Sequence, residues 1–326
     1  MNVQVTEGDI TLAKVDVLAL KYAEEHHGVD NLVHKRLLDA GVPDVDMRPA
    51  RDSFSLVPAR NAVGAYEVMF VATAGLPELG YADLRRLARA MLAYLRLARP
   101  NVRSVATTVH GPNFGLDEGE AFESMLAGFT DAVVERSVSP DLESILFVER
   151  NSARAEHLVK RLFELLPSGM IGTANATSTT HVQERLRAAG YASPSKPHVF
   201  VAMPFAAEFQ DVYDYAIQNA VRKSGLLCER VDVQSFTGDI LARVQERIRS
   251  ARFLIADLST ANPNVYLEVG YAWGCGVPCI LLIRDTKELK FDVQGQRCIS
   301  YNRIKDLEEK LEAELSTLLV TPRHGP

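Results

Sequence analysis

Short apolar and β-branched runs alternate with stretches of helical spacing through the first half of the chain. The runs predict strands at residues 1–5, 15–20, 68–72, 102–108 and 142–148. Apolar residues recurring every three to four positions predict helices at residues 28–40, 82–98, 118–135 and 153–166. Strands that alternate with helices of this length indicate a largely parallel sheet covered on both faces.

The same alternation returns in the second half. It predicts strands at residues 198–202, 226–230, 253–257 and 278–283, and helices at 211–224, 239–250, 265–274 and 304–319. Between the halves, glycines, a Ser/Thr-rich run and two prolines surround a single helical stretch at 181–189, which is typical of a linker. We therefore predict two three-layer α/β domains, each with a mostly parallel sheet: residues 1–167 and 198–326, joined by a linker at 168–197.

Composition narrows the class of partner. The chain has 326 residues and a formal net charge of −6, and no basic stripe carries interleaved aromatic residues, which argues against direct nucleic-acid binding. No secretory signal and no membrane-spanning apolar stretch is found, so we predict a cytoplasmic protein without a membrane partner. The four cysteines have no neighbouring histidine to complete a zinc set, and we predict neither a metal nor a resident cofactor.

The clearest candidate chemistry lies in the run NPNVYLEVGYA, residues 262–272. Pro263 suits a first helical turn, so Glu268 falls within the first two turns of the helix that follows. Strand 253–257 ends at Asp257 and strand 198–202 is followed by Met203. Because ligands bind outside the carboxyl ends of parallel strands, these residues are predicted to share one edge of the sheet. A carboxylate there can attack, or stabilise positive charge at, the anomeric carbon of a ribose.

Five motifs in order resemble the superfamily that joins nucleoside 2-deoxyribosyltransferases to TIR domains. They are VFVAMPF (199–205), GDI (238–240), ADLS (256–259), the 262–272 run and GVPCI (276–280). The resemblance implies that Glu268 is the nucleophile or catalytic glutamate. Asp257 would orient a ribose hydroxyl, although a turn or helix N-cap explains it nearly as well. The other residues that the resemblance assigns to the substrate are Met203, Pro204, Phe205, Gly238, Asp239, Asn264 and Tyr271.

The opening of the chain resembles a macro domain in GDIT (8–11), VDVL (15–18), GVDNLVH (28–34) and HGPNFG (110–115). The resemblance implies that Asp9, with Ile10, contacts an adenine, and that two glycine loops hold the phosphates of an ADP-ribose-like ligand. The loop residues concerned are Gly28, Val29, Gly111, Asn113, Phe114 and Gly115. Macro domains that hydrolyse ADP-ribose esters carry NAAN where this chain has LKYA (20–23). Both a ligand sensor and a macro-like fold that binds nothing remain open.

Together the halves suggest a regulated effector that cleaves NAD, as in prokaryotic antiphage defence. NAD would be the substrate rather than a cofactor, a nucleotide signal would act on the first half, and activation would involve homo-oligomers. Two alternatives remain. One is a nucleoside 2-deoxyribosyltransferase or deoxynucleotide N-hydrolase in salvage, which needs the same glutamate. The other is a module that senses nucleotides or self-associates and performs no chemistry.

Overall fold

The computed structural model describes residues 1–76, 78–172, 180–231, 240–290, 293 and 295–320. The chain divides into two compact units. The first comprises Met1–Pro112 with Glu118–Pro194, and the second comprises Asn113–Asp117 with Ser195–Pro326. Most of the predicted linker thus belongs to the first unit, and a short segment of the N-terminal half belongs to the second.

A six-stranded sheet forms the centre of the first unit, in the order β1-β6-β5-β2-β4-β3. Its strands are β1 (Asn2–Glu7), β2 (Val17–Tyr22), β3 (Phe54–Pro58), β4 (Glu67–Ala72), β5 (Ser104–Thr107) and β6 (Ser144–Glu149). All neighbouring pairs are parallel except β3 and β4, which are antiparallel. The predicted, mostly parallel α/β sheet is confirmed. The sequence analysis missed β3, a partly exposed edge strand that ends in proline.

The helices of this unit form where the apolar spacing predicts them. They are α1 (Val29–Asp39), α2 (Tyr81–Ala98), α3 (Glu118–Val134), α4 (Ser152–Leu165) and α5 (Thr180–Ala188). Arg85 of α2 explains why α5 belongs to this unit: its Nη1 donates to the carbonyl oxygens of Leu186, Arg187 and Ala189 at 2.7–3.1 Å. The predicted linker helix is therefore fixed by satisfying backbone acceptors, a contact that composition cannot indicate.

Gly128 allows α3 to approach α2 closely. A Cβ atom at this position would lie 2.1 Å from the carbonyl oxygen of Arg85 and 3.0 Å from the Cβ of Ala88. Gly128→Ala is therefore expected to destabilise the first unit by about 1–3 kcal/mol, despite alanine's higher helix propensity. Chemical denaturation followed by far-UV circular dichroism would measure this. A Gly128→Ala protein as stable as the wild type would contradict the close packing.

The second unit contains a five-stranded, all-parallel sheet in the order β11-β10-β9-β7-β8. Its strands are β7 (His198–Ala202), β8 (Leu227–Glu229), β9 (Phe253–Asp257), β10 (Cys279–Ile283) and β11 (Cys298–Ser300). Four of them match predicted strands. The fifth, β11, was missed because it has three residues at the sheet edge and none is fully buried.

Helices lie on both faces of this second sheet. A π-helical segment, Val212–Ile217, runs into α6 (Gln218–Lys223), and these pack with α9 (Ile304–Val320) in one core. The opposite core contains α7 (Ile240–Ser250) and α8 (Pro263–Gly274). This unit is thus a three-layer α/β structure. Among the helices that the structure describes, none is long and apolar enough to cross a membrane.

Candidate functional site

The strand order of the second sheet has a switch point, where strands that follow one another in the chain lie on opposite sides. Numbered within the unit, the order is 2-1-3-4-5, so the chain reverses direction across the sheet between β7 and β9. The segment after β7 leads to the core of α6 and α9, whereas the segment after β9 leads to the core of α7 and α8. In open α/β sheets, ligands bind in the crevice that such a reversal opens at the carboxyl ends of the strands.

Glu268 lies on α8, which starts from this edge. Pro263 occupies the first turn, and the side chain of Asn262 caps the helix by accepting from the Asn264 N–H at 3.0 Å. Val265 and Val269 are buried against the sheet, which leaves Glu268 beside them and partly buried. Among the described residues the Glu268 carboxylate has no hydrogen-bond or ion-pair partner. Burial without compensation raises the pKa of Glu268 to about 7.

Asp257, the last residue of β9, is fully buried. One carboxylate oxygen accepts from the Ser259 N–H at 3.0 Å, and the other accepts from the Tyr301 hydroxyl at 2.5 Å. Burial and the adjacent Asp257 raise the pKa of Tyr301, so this hydroxyl stays a donor. One oxygen of Asp257 is thus used to hold the loop after β9, as in the turn interpretation of this residue, and the other is used by Tyr301, which follows β11.

The loop that Asp257 holds is strained. Thr260 and Ala261 have positive φ angles of 65° and 49°. Residues other than glycine rarely adopt a positive φ, and β-branched residues such as Thr260 do so least of all. Such conformations cost about 1–3 kcal/mol each and persist where the surroundings determine them. The Ser259 hydroxyl contributes by accepting from the Arg284 N–H at 3.0 Å. The strained loop leads directly into Asn262 and the start of α8, so it sets the position of the helix that bears Glu268.

Met203, Pro204 and Phe205 follow β7 at the same edge. Met203 is 3% exposed and belongs to the core shared by α6 and α9. Pro204 is also buried, whereas Phe205 is partly exposed. The structure therefore makes Phe205 the member of this group that is open to a ligand.

Arg230, which directly follows β8, is a residue that the sequence analysis did not single out. Its side chain is 9% exposed, and its guanidinium carbon lies 3.8 Å from the ring centre of Tyr213 and 4.9 Å from that of Phe205. Its nitrogens donate to the Gln210 side-chain oxygen at 3.2 Å and to the Met203 sulfur at 3.6 Å. Within the described residues it forms no ion pair. An arginine at the end of the predicted strand 226–230 was the available signal.

The remaining predicted substrate residues are dispersed. The Tyr271 hydroxyl accepts from Arg249, in the last turn of α7, at 2.6 Å, and its contact with a substrate stays a prediction. The Asn264 side chain is exposed near the start of α8. Gly238 and Asp239 lie outside the described residues.

In the first unit, Asp9 and Ile10 adopt roles within the fold. One Asp9 oxygen accepts from both the N–H and the hydroxyl of Thr11, at 2.9 and 2.7 Å, and these bonds lower the pKa of Asp9. Asp9 thereby caps the short helix Ile10–Leu12. Ile10 itself is 5% exposed and belongs to the core. Asp9 remains at the surface, so the predicted adenine contact stays a prediction.

The predicted phosphate loop at Gly28 and Val29 precedes a charged interior. Gly28 has φ 57° and is the N-cap of α1. In the first turn, the buried Asp30 forms an ion pair with the buried Lys21, and burial raises the pKa of Asp30. The positive end of the α1 dipole, which would favour a phosphate, therefore already interacts with the Asp30 carboxylate.

Histidines surround this pair of charges. Both ring nitrogens of His26 are buried without a partner among the described residues, and burial lowers the pKa of His26 to about 3. His26 stacks on His34 with ring centres 4.1 Å apart. His110 is fully buried, which lowers its pKa well below the usual value. The rings of His26 and His110 are therefore neutral near pH 7.

The second predicted phosphate loop is divided between the two units. Gly111 belongs to the first unit, and residues Asn113–Asp117 belong to the second. There the Gly115 N–H donates to the Arg230 carbonyl at 3.2 Å, and Phe114 forms an isolated bridge with Val231. The Gly115 N–H is thus used by the backbone and is not available to a phosphate.

Solved structures that align with this chain include macrodomains and an N-glycosidase. The alignment with a Trypanosoma brucei macrodomain in complex with ADP covers 49% of this chain and 69% of the macrodomain chain, at 16% identity and a TM-score of 0.40. An Oceanobacillus iheyensis macrodomain covers 50% and 91%, at 14% identity and a TM-score of 0.38. A Clostridium botulinum CMP N-glycosidase covers 36% and 98%, at 19% identity and a TM-score of 0.29. No family model and no curated protein matches the sequence.

Proposed function

We propose that the second unit cleaves the N-glycosidic bond of a nucleotide, with Glu268 acting at the anomeric carbon. The observation that carries this proposal is the state of the Glu268 carboxyl group. It lies on the helix that starts from the carboxyl edge of the sheet, it has no partner among the described residues, and its pKa is raised to about 7. A partly buried, uncompensated carboxyl group on such a helix is a candidate functional group rather than a structural one.

The chemistry requires two bond changes at one carbon. As the bond between C1′ and the base nitrogen breaks, the electron pair leaves with the base and positive charge develops on the sugar. The Glu268 carboxylate forms a bond to C1′ or stabilises this charge. Water then attacks C1′ and loses a proton to the solvent, or the nitrogen of an acceptor base attacks in a transferase; where a bond between Glu268 and C1′ has formed, this attack breaks it and its electron pair returns to the carboxylate. A partly desolvated carboxylate interacts more strongly with the developing positive charge than one in water does.

The single carboxylate favours NAD as the substrate. Nicotinamide leaves NAD as a neutral molecule without needing a proton, because its ring nitrogen is positively charged in the substrate. Within the described residues no second acidic group contacts Glu268, and both oxygens of the nearby Asp257 are occupied. A site with one free carboxylate therefore suits a bond whose leaving group needs no general acid.

The raised pKa of Glu268 supports a second candidate, base removal from a deoxynucleoside or deoxynucleotide. These bases leave more readily when protonated, and the raised pKa of Glu268 lets its carboxyl group hold a proton closer to neutral pH than an ordinary glutamate does. For both candidate substrates we propose that the first unit regulates the second. In the NAD-cleaving form we propose an effector, of the kind used in antiphage defence, that is switched by a nucleotide ligand near Gly28 or Gly111.

A product assay tests the proposal. The full chain is incubated with NAD, with 2′-deoxynucleosides and with 2′-deoxynucleoside monophosphates, each with and without candidate nucleotide signals, and free base is separated by chromatography. Release of nicotinamide supports the first candidate, and release of a nucleobase from a deoxy compound supports the second. No release of any base under any condition contradicts both, and leaves the module that performs no chemistry.

The pH dependence distinguishes the two roles of Glu268. If the carboxylate is the reacting form, kcat/KM should rise about tenfold per pH unit below pH 7 and become level above it, because the group must lose its proton. If the protonated form is needed, kcat/KM should fall as the pH rises through 7. Steady-state rates from pH 5 to 9 measure this. A profile without an inflection between pH 6 and 8 would contradict the assignment of Glu268 as the titrating group.

A further inference from the structure

We propose that Arg230 binds a phosphate group of the substrate, so that the second unit acts on nucleotides and discriminates against nucleosides. The attachment of this phosphate to a cleavable nucleoside rests on the proposed function. The anion site itself rests on the surroundings of Arg230 alone.

The first argument is the unmatched charge of Arg230. Arginine side chains that are nine-tenths buried are ordinarily paired with a carboxylate, because an isolated buried charge is costly. Among the described residues, the hydrogen-bond acceptors of Arg230 are neutral: the Gln210 amide oxygen and the Met203 sulfur. A link to a negative charge within the described residues is indirect: the Gln210 amide nitrogen donates to both oxygens of Asp214 at 3.0 Å.

Aromatic rings also hold the guanidinium group in place. Tyr213 and Phe205 both lie in cation–π contact with Arg230. A guanidinium group that stacks on rings makes its hydrogen bonds through its planar edge, where parallel N–H groups match two oxygens of a phosphate. The backbone is fixed as well, because the Arg230 carbonyl accepts from Gly115 and Val231 is bridged to Phe114. The cation is therefore preorganised for an anion.

The location fits a substrate that reaches Glu268. Arg230 follows β8, Phe205 follows β7, and the loop leading to Glu268 follows β9. These three strands are neighbours in the order β9-β7-β8, so the three segments leave the same edge of the sheet side by side. A nucleotide placed over the end of β7 would have its phosphate on the β8 side and its anomeric carbon on the β9 side.

A second arginine at this edge serves as an internal comparison. Arg284 follows β10, and its charge is matched by Glu208, whose carboxylate lies 3.6 Å away and whose carbonyl accepts at 3.0 Å. Arg284 also remains more exposed, with 36% of its side chain accessible. Arg230 thus differs from Arg284 in burial and in the lack of an acidic partner within the described part of the chain.

The binding test uses the Glu268→Gln chain, which is expected to hold ligands without turnover. Calorimetric titrations compare nicotinamide riboside with nicotinamide mononucleotide and NAD, and 2′-deoxycytidine with its 5′-monophosphate, with inorganic pyrophosphate as a simple anion. At least one phosphorylated ligand should bind about 10- to 100-fold more tightly than its nucleoside, the range for a hydrogen bond to a charged group. Arg230→Met should remove this difference and Arg230→Lys should restore part of it.

Arg297→Met is the matched control, because Arg297 lies in the same unit with 80% of its side chain exposed. It should leave every affinity unchanged. Equal affinity for nucleoside and nucleotide, or no phosphate probe whose binding depends on Arg230, would overturn the inference.

Thermal melts separate binding from folding. Replacing an unmatched buried cation by an apolar chain of similar length should leave the melting temperature unchanged or raise it. A marked fall in both Arg230→Met and Arg230→Lys would instead make Arg230 a structural residue and overturn the inference.

The inference and the proposed function fail in different ways. Phosphate binding that depends on Arg230, without any base release from the wild type, would keep the anion site and reject the glycosidase. Base release that is equally fast from nucleoside and nucleotide, and indifferent to Arg230→Met, would keep the glycosidase and reject the anion site.

Discussion

Glu268→Gln is expected to lower kcat by about a thousandfold or more on whichever substrate the wild type cleaves, which corresponds to about 4 kcal/mol of transition-state stabilisation. Glutamine keeps the size and position of the side chain but can neither form the bond to C1′ nor balance the positive charge on the sugar. Steady-state and single-turnover rates of base release would measure the loss. Glu309→Gln, an exposed substitution on α9 in the same unit, is the matched control and should retain full activity.

The same substitution should stabilise the protein in a predictable pH window. The pKa of Glu268 is raised from 4.5 to about 7, so between these values the folded chain binds more protons than the unfolded chain. Stability therefore falls as the pH rises through this window, because ionisation of a poorly solvated carboxyl group is unfavourable. The glutamine side chain cannot ionise, so the melting temperature of Glu268→Gln should exceed that of the wild type at pH 8 and approach it at pH 4.5.

The rate of base release and the melting temperature of Glu268→Gln together distinguish a catalytic glutamate from a surface glutamate that takes no part in the chemistry. A catalytic carboxylate kept in a poorly solvating site gives a variant that is inactive and more stable. A solvated surface glutamate would give a variant that is active and unchanged in stability. Full base release by Glu268→Gln, with wild-type rates on every substrate, would exclude Glu268 from the chemistry.

The elements of this fold were predictable because their apolar residues face buried surfaces. Strands such as β4 and β9 are buried along most of their length, so their sequences are continuous apolar runs. The strands that were missed, β3 and β11, are partly exposed sheet edges whose short sequences lack such a run. The helical spacing of α2 was equally visible. The helix α5 was also predicted, but its place in the first unit was not, because α5 is held there by Arg85, which donates to backbone carbonyls.

Only the edge of the sheet at which the site lies could be predicted, because this follows from the direction of the strands. Because parallel strands end at one edge, sequence alone indicated that Asp257, Met203 and the start of α8 lie at the same edge. Side-chain partners could not be inferred in this way. Tyr271 is assigned to the substrate by resemblance, but no sequence pattern indicates that its hydroxyl accepts from Arg249 on the neighbouring helix. The importance of Arg230 depends on the lack of a carboxylate around it within the described residues, which is a property of packing in three dimensions.

The buried ion pair of Lys21 and Asp30 leads to the second large effect. Both side chains are 2% exposed, and the second oxygen of Asp30 is buried without a partner among the described residues. Lys21→Met should therefore cost about 3–5 kcal/mol of stability, because it leaves the carboxylate buried and unmatched. Arg103→Met, which removes an exposed ion pair with Glu143 in the same unit, should cost less than about 1 kcal/mol.

Denaturation followed by far-UV circular dichroism measures the Lys21→Met loss, and the fluorescence of Trp273, the chain's single tryptophan, separately reports the second unit. The defect should be smaller at pH 4.5 than at pH 8, since Asp30 without its partner becomes neutral at low pH and the folded state then retains the proton. The double variant Lys21→Met/Asp30→Asn should lose less than the sum of the two single losses. A pH-independent loss, or strict additivity, would show that the two charges do not depend on each other.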